Sequence, residues 1–277
     1  MFAKIAHKIR HSPLLKNADI LWNILRKPYH ALLNIRSKGI PVIINESLTI
    51  RIPPQYYKIN LSDYEEASTQ YLINWINKNP SCLILDIGCS TGYISAVCLF
   101  ASANATVIGF DSDLPSLRAS ELMCKYAPGN RFSVLYGLIT EGSNPERNIN
   151  EAIDATNKIL KASNLSGNPD TTKYVNLDKN IDKLIPEYAM DSLFKGSALT
   201  QPILIKCDIE GAELFALKGA KQFIAQYKPA ILLSVHPGIL PVFNCTVQQV
   251  DAFLKEQGYA IELISIDHEE HWWCVTK

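Results

Sequence analysis

Apolar residues along this chain follow two rhythms, short unbroken runs and segments with helical spacing, and beyond about residue 80 the two alternate. The unbroken runs are Cys82–Ile87, Thr106–Phe110, Phe132–Tyr136, Pro202–Cys207 and Ala230–Val235. None alternates apolar with polar, so each predicts a strand buried on both faces. Helical spacing predicts helices over 91–103, 115–126, 212–226 and 247–257. Two closing strands are predicted at Tyr259–Ile266 and His271–Thr276, making seven strands in all. Apolar strands separated by helices specify an α/β fold, a mostly parallel Rossmann-like sheet with helices on both faces.

Ahead of this unit the pattern changes. Residues 63–78 predict a helix capped by Ser62 or Asp63, with Ala67, Tyr71, Leu72, Trp75 and Ile76 on one side. Pro41–Ile52 reads as a β-hairpin turning at Asn45-Glu46-Ser47. Residues 1–40 predict two short amphipathic helices, with Pro28 suited to the first turn of the second. Residues 141–175 break the rhythm: they are polar, rich in Asn and contain Pro145, Gly167 and Pro169. They are expected to form a surface insertion with one weak helix near 146–162, a candidate lid over a substrate. The domain organisation expected is thus a helical extension over 1–40 and one main domain over 41–277 that carries the 141–175 insertion.

Charge sharpens this division. The net charge is zero, but residues 1–40 hold eight basic side chains against Asp19, leaving 19 basic against 26 acidic in the remainder. A basic arm beside an acidic domain argues against nucleic-acid binding by the domain, which would need its own positive face. The arm instead suits packing on the main domain, or peripheral contact with anionic lipid or a polyanion. With 47% hydrophobic and 19% charged residues the chain has ample core material and is not disordered. No apolar run approaches the roughly 18–20 residues of a membrane span, and charges at positions 8, 10 and 16 interrupt any secretory h-region. Seven cysteines, an odd number with no C-x-x-C pair or zinc spacing, fit a reducing cytoplasm.

In a doubly wound sheet, ligands bind beyond the carboxyl ends of the strands, so the polar residues that end the apolar runs carry the chemistry. The first run ends in Asp86-Ile87-Gly88-Cys89-Ser90-Thr91-Gly92-Tyr93. Gly88 permits a sharp turn and Gly92 a close helix approach, but no glycine stands at 90, so this is not the dinucleotide fingerprint. A turn of this D-x-G-x-x-x-G kind suits S-adenosylmethionine, which brings no phosphate. Asp111, some 25 residues after Asp86 and followed by Ser112, can accept hydrogen bonds from both hydroxyls of an adenosine ribose. Gly137-Leu138, after the third strand, completes the expected cofactor site.

Four segments together carry a family resemblance: Asp86–Tyr93, Gly109-Phe110-Asp111, Ile205–Glu213 and Ser234-Val235-His236-Pro237. They resemble the FkbM-type family of S-adenosylmethionine-dependent methyltransferases, most tellingly in Ile205-Lys206-Cys207-Asp208-Ile209-Glu210-Gly211-Ala212-Glu213. Tyr64-Glu65 resembles a glutamate that the family carries before its first Rossmann helix, with Glu66 as a rival alignment. Val175-Asn176-Leu177-Asp178 resembles a strand-then-Asp segment of the same family. The chain departs at Gly88-Cys89-Ser90-Thr91-Gly92, where G-A-N-x-G is usual, and at Asp111, where Glu is usual. The resemblance implies a class I methyltransferase fold and methyl transfer to a hydroxyl oxygen, often on a sugar or glycan.

Such a reaction needs an acceptor held near the methyl and a group to take its proton. Asp208 and His236 are the two candidates for that base, with Lys206 and Glu65 beside them and Glu210 as a substrate-orienting residue. Glu213 reads as a first-turn residue favoured by the helix dipole. His268, His271, Trp272 and Trp273 suit either stacking on a sugar ring or the edge of the closing hairpin. A shared divalent-metal role for Asp208 and Glu210 is the lesser alternative, and no metal site is assigned because no nearby His or Asp spacing completes a ligand set. Two rivals stand beside the methyltransferase. A nicotinamide oxidoreductase is disfavoured by the missing glycine at 90. A catalytically silent scaffold, docked to a membrane or a glycan-assembly complex, is disfavoured by Asp208-x-Glu210 and the glycine turn.

Overall fold

The protein is described by a computed structural model covering residues 38–276 apart from 57–58, 60, 62–63, 143, 164 and 166–184. The expected helix pair within 1–40, the cap at Ser62 or Asp63 and the Val175–Asp178 strand lie outside the described residues.

β1 (Ile40–Ile44) and β2 (Leu48–Ile52) form the expected antiparallel hairpin, with Ile44 opposite Leu48. Its turn puts Asn45 and Glu46 at φ 46° and 55°, the paired left-handed conformation that short hairpins favour. The Asn45 side chain donates to the Glu66 carbonyl and Thr69 Oγ1, tying the hairpin to α1 (Glu66–Lys78). That helix starts later than its sequence pattern suggests, with Glu65 as N-cap at φ 47° and no side-chain cap.

The main sheet comprises β3 (Leu83–Ile87), β4 (Thr106–Asp111), β5 (Phe132–Tyr136), β8 (Ile203–Cys207), β9 (Ala230–Val235), β10 (Tyr259–Ile266) and β11 (Glu270–Thr276). Its order is β10-β11-β9-β8-β3-β4-β5, parallel except for β11. The chain winds outward from β3 to β5, then returns to lay β8 on the opposite side of β3. The order therefore switches between β3 and β8, where Asp86 stands opposite Lys206. A crevice at their carboxyl ends follows from that switch. β3, β8 and β9 are buried at every position, as their unbroken apolar runs require.

One face of the sheet packs on α1, α2 (Tyr93–Ala101) and the hairpin, around Ile84, Leu72 and Ile44. The other packs on α6 (Glu213–Gly219), α7 (Lys221–Tyr227) and α8 (Val247–Glu256), around Ile205, Leu217 and Leu254. α3 (Leu114–Cys124) lies beside β4 and β5.

Three features depart from the sequence pattern. The single helix expected over 212–226 is two helices meeting at Ala220. There a Cβ on Gly219 would lie 1.8 Å from the Thr140 carbonyl, and Asp191 accepts from the Gln222 and Phe223 amides, giving α7 a cap of its own. Asp191 sits on a short α5 (Met190–Leu193), which follows a two-residue strand pair, β6 (Leu138–Ile139) with β7 (Glu187–Tyr188). Elements this short carry no readable periodicity. Third, the helix expected near 146–162 is present as α4 (Ile149–Ala162), started by an Asn148/Glu151 capping box, and it departs from the pattern only in how firmly it packs. It buries Ala152, Thr156 and Leu160, and the Tyr136 amide donates to Thr156 Oγ1, so α4 covers β5. Among the described residues no helix is long and apolar enough to cross a membrane.

Candidate active site

The ends of β3 and β4 make one half of the crevice. Gly88 turns the chain at φ 80°, and a Cβ there would lie 1.8 Å from the Asp208 carbonyl, so the turns after β3 and β8 touch through backbone. Ser90 follows at φ 47° and Gly92 at φ 79°, where a Cβ would lie 2.7 Å from Ser120 of α3. This path delivers the Ser90 amide to Asp111 Oδ2 at 2.8 Å, while the Asp113 amide reaches Oδ1 at 2.8 Å. Each carboxylate oxygen keeps a lone pair free, the arrangement that two neighbouring hydroxyls require. Burial pushes the Asp111 carboxyl up to about 6, against the pull of those two amides.

The other residues expected at the cofactor are distributed less simply. Asp86 is fully buried: its Oδ2 accepts from Ser95 Oγ at 2.5 Å, and its Oδ1 has no partner among the described residues. Burial raises its carboxyl, with Lys206 opposing. Cys89 faces the sheet, because a Cβ on Gly109 would lie 2.9 Å from its Sγ, and burial lifts its thiol well above the usual range. It packs rather than binds. Tyr93 donates to the Leu61 carbonyl at 2.9 Å and meets the Tyr64 ring edge-on at 5.4 Å, anchoring the segment that carries Glu65. The Gly137 amide donates to the Asp111 carbonyl and the Leu138 amide to the Pro186 carbonyl, so neither is available to a base. The Leu138 side chain is exposed and Ser112 half-buried at the rim.

The ends of β8, β9 and β11 make the other half, from side chains. Lys206 is buried and its Nζ lies 3.1 Å from Asp208 Oδ2. Burial alone would lower its ammonium, but Asp208, Asp86 and Glu65 outweigh that and raise it. Asp208 Oδ1 lies 3.6 Å from His236 Nε2. The same Nε2 is 2.6 Å from Glu269 Oε2, and Nδ1 is 2.8 Å from Glu213 Oε1. Burial lowers the basicity of this imidazole, yet its hydrogen bonds to Glu213 and Glu269 win and push it up to about 10. A ring held protonated between two carboxylates has no lone pair to offer, so His236 is not poised as a base in this arrangement. Asp208, with a fifth of its side chain exposed, is the member of the cluster open to the crevice.

Glu65 is half-buried; Lys206 and Asp208 are among the charges it senses, and its Oε2 has no partner among the described residues. Glu66 is exposed in the first turn of α1, which resolves the choice of which glutamate faces the cluster. Glu210 is exposed at φ 51°, on the outside of the turn. Trp272 and Trp273 are buried because β11 is an interior strand, so neither is a platform for a sugar ring. Only His268 of that group is exposed, at 80%.

Sequence spacing missed three members of the cluster. Glu213 is fully buried and grips both the Gly211 amide and His236, well beyond a helix-dipole role. Glu269 comes from the turn between β10 and β11, and His271 from β11 itself, its Nε2 3.3 Å from Glu269 Oε1. Only the insertion of β11 beside β9 brings them here; the polar turn Asp267-His268-Glu269 was the available signal. Asp208, His236 and Glu269 offer one ligand atom each within 4.8 Å of one another, a set that was not expected.

The first half fits an adenosine-bearing ligand: a carboxylate with spare lone pairs, beside a turn whose Gly88 and Gly92 leave no room for a Cβ. A family model described as the methyltransferase FkbM domain matches residues 108–261. No curated protein matches the chain. Among solved structures, a methyltransferase FkbM from Methylobacillus flagellatus KT is 18% identical, with 93% of this chain and 60% of that one covered, at a TM-score of 0.44. The chain thus spans less than two thirds of that protein. An O-methyltransferase from Bacillus cereus in complex with SAH is 12% identical, covering 79% and 84%, at a TM-score of 0.45. A precorrin-6y C5,15-methyltransferase from Geobacter metallireducens GS-15 is 10% identical, covering 79% and 92%, at 0.43.

Proposed function

We propose, from the premise that this chain belongs to the FkbM methyltransferase family and uses S-adenosylmethionine, that it methylates a hydroxyl oxygen on a sugar, glycan or related small molecule. The observation that carries this reading is the Asp208 carboxylate, partly open, fixed by Lys206 at 3.1 Å and set against the Gly88 turn. S-adenosylmethionine supplies a methyl group on a sulfonium, ready for in-line attack. Asp111, held by the Ser90 and Asp113 amides, would receive the ribose hydroxyls. Gly88, Ser90 and Gly92 shape the backbone path, with Leu138 and Ser112 at its rim. Asp208 Oδ1 would accept the hydrogen of the acceptor hydroxyl, and Lys206 and His236 hold that carboxylate in place. Holding the acceptor in line is worth about 7–11 kcal/mol, and a proton acceptor adds roughly 10²–10⁴-fold.

The domain over 41–277 would hold this chemistry, with 1–40 as a separate basic arm that rests on anionic lipid. Sedimentation with anionic vesicles at low salt tests the arm, and absence of binding there removes it. Seven buried free cysteines support a reducing, cytoplasmic setting. For the reaction itself, the protein is incubated with methyl-labelled cofactor and a panel of hydroxylated glycans. A base-stable ether label is expected; label found only as base-labile ester or on amines overturns transfer to a hydroxyl.

A further inference from the structure

We propose that Asp208 Oδ1, His236 Nε2 and Glu269 Oε2 bind one divalent first-row transition cation at the floor of the crevice, the ion displacing the Nε2 proton to solvent while Nδ1–H stays on Glu213. Three observations converge on it. The first is distance. Donor atoms each about 2.0–2.2 Å from a shared ion lie roughly 3.0–3.5 Å apart. Here Nε2 is 3.6 Å from Oδ1 and 2.6 Å from Oε2, and all three atoms lie within 4.8 Å of one another, so an ion is seated once Oε2 draws back from Nε2.

The second is the shell behind these atoms. Metal-binding imidazoles characteristically give their other ring N–H to a carboxylate, and metal-binding carboxylates are themselves held. His236 Nδ1 is held by Glu213 Oε1 at 2.8 Å, Asp208 Oδ2 by Lys206 at 3.1 Å, and Glu269 Oε1 by His271 at 3.3 Å. Every candidate ligand thus turns one atom inward and has its second atom fixed from outside.

The third is charge. Glu65, Asp86 and Asp208 face Lys206, and Glu213 and Glu269 face His236, so five carboxyl groups share two basic side chains. Glu65 Oε2, Asp86 Oδ1 and Glu213 Oε2 are buried without a donor among the described residues. Buried negative charge of this density calls for a positive partner. One imidazole and two carboxylates, with no thiolate, suit Mn²⁺, Fe²⁺ or Zn²⁺ better than a soft or an all-oxygen ion.

The site's consequence, though not its existence, rests on the proposed transfer to a hydroxyl. Neighbouring hydroxyls of a sugar would occupy the ion's open positions on the Asp208 side. A hydroxyl so bound gives up its proton to water more readily. Asp208 would then act as a ligand rather than as the direct proton acceptor.

The test uses the full chain stripped with EDTA and titrated with MnCl₂, read by calorimetry and by loss of the free Mn²⁺ electron-spin resonance signal. One ion per chain is expected, weakened at least about tenfold in Glu269→Gln and in Asp208→Asn and unchanged in Glu256→Ala. Glu256 is an exposed carboxylate at the end of α8, outside the cluster. Retained binding of S-adenosylmethionine certifies that each variant is folded. Absence of saturable Mn²⁺ binding, wild-type affinity in both ligand variants, or an equal loss in Glu256→Ala would each overturn the proposal. The ether-label assay judges the proposed reaction separately, so either can fail alone.

Discussion

The two halves of the crevice are made in different ways. The β3–β4 half is backbone: glycine turns, amides and one carboxylate, nearly all within residues 86–113. The β8–β9–β11 half is side chains, drawn from Lys206 to His271 and joined by charge. A backbone cradle grips a constant ligand and tolerates little change. A charged side-chain cluster costs desolvation and is sensitive to each partner, but it can activate a proton or hold an ion. A transferase with one cofactor and a chosen acceptor needs both kinds.

Gly88 is where the halves touch, so it is the largest lever. Gly88→Ala puts a Cβ 1.8 Å from the Asp208 carbonyl at a φ of 80°, and backbone on both sides must move. A loss of about 2 kcal/mol or more in unfolding free energy is expected, together with loss of cofactor binding and turnover, read by urea unfolding and calorimetry. A variant with native stability and affinity would show the turns to be independent.

The next two substitutions pull the halves apart. Asp208→Asn is expected to cut kcat by about 10²-fold or more while S-adenosylmethionine affinity stays within about twofold of wild type, since no part of the β3–β4 half uses that carboxylate. Equal losses in both would merge the halves into one unit. Asp111→Ala is expected to do the reverse, weakening the cofactor roughly ten- to a hundredfold, from charged hydrogen bonds worth about 1.5–3 kcal/mol. Unchanged calorimetric affinity would remove Asp111 from the ribose.

The same contrast explains what could be read from sequence. The Asp86–Gly92 turn and Asp111 were legible because a local run fixes its own backbone, and strand ends point where ligands bind. Asp208, Lys206 and His236 were legible for the same reason, as ends of β8 and β9. Glu269 was not, because its approach to His236 depends on β11 running antiparallel between β9 and β10. That interior position also turns Trp272 and Trp273 from candidate platforms into core. Cys89 misled because turn residues adjacent in sequence face opposite ways. In α4, a polar composition hid the single stripe of Ala152, Thr156 and Leu160 that packs on β5.

The smallest expected effect is a fraction of a proton, and it isolates the backbone half. Burial holds the Asp111 carboxyl near 6, so below that pH the free protein carries a proton there. Ribose hydroxyls that donate to the carboxylate favour its charged form, so binding lowers this pKa and expels the proton. Affinity should therefore rise as pH increases through about 6 and level off above it. Between pH 5 and 6.5, calorimetry in buffers of different ionisation enthalpy should read net proton release that vanishes in Asp111→Asn. The cofactor's own titrations are common to both proteins and cancel in that difference. Identical proton release in wild type and variant would mean that the carboxylate is not in contact with the ligand, whatever its distance from the turn.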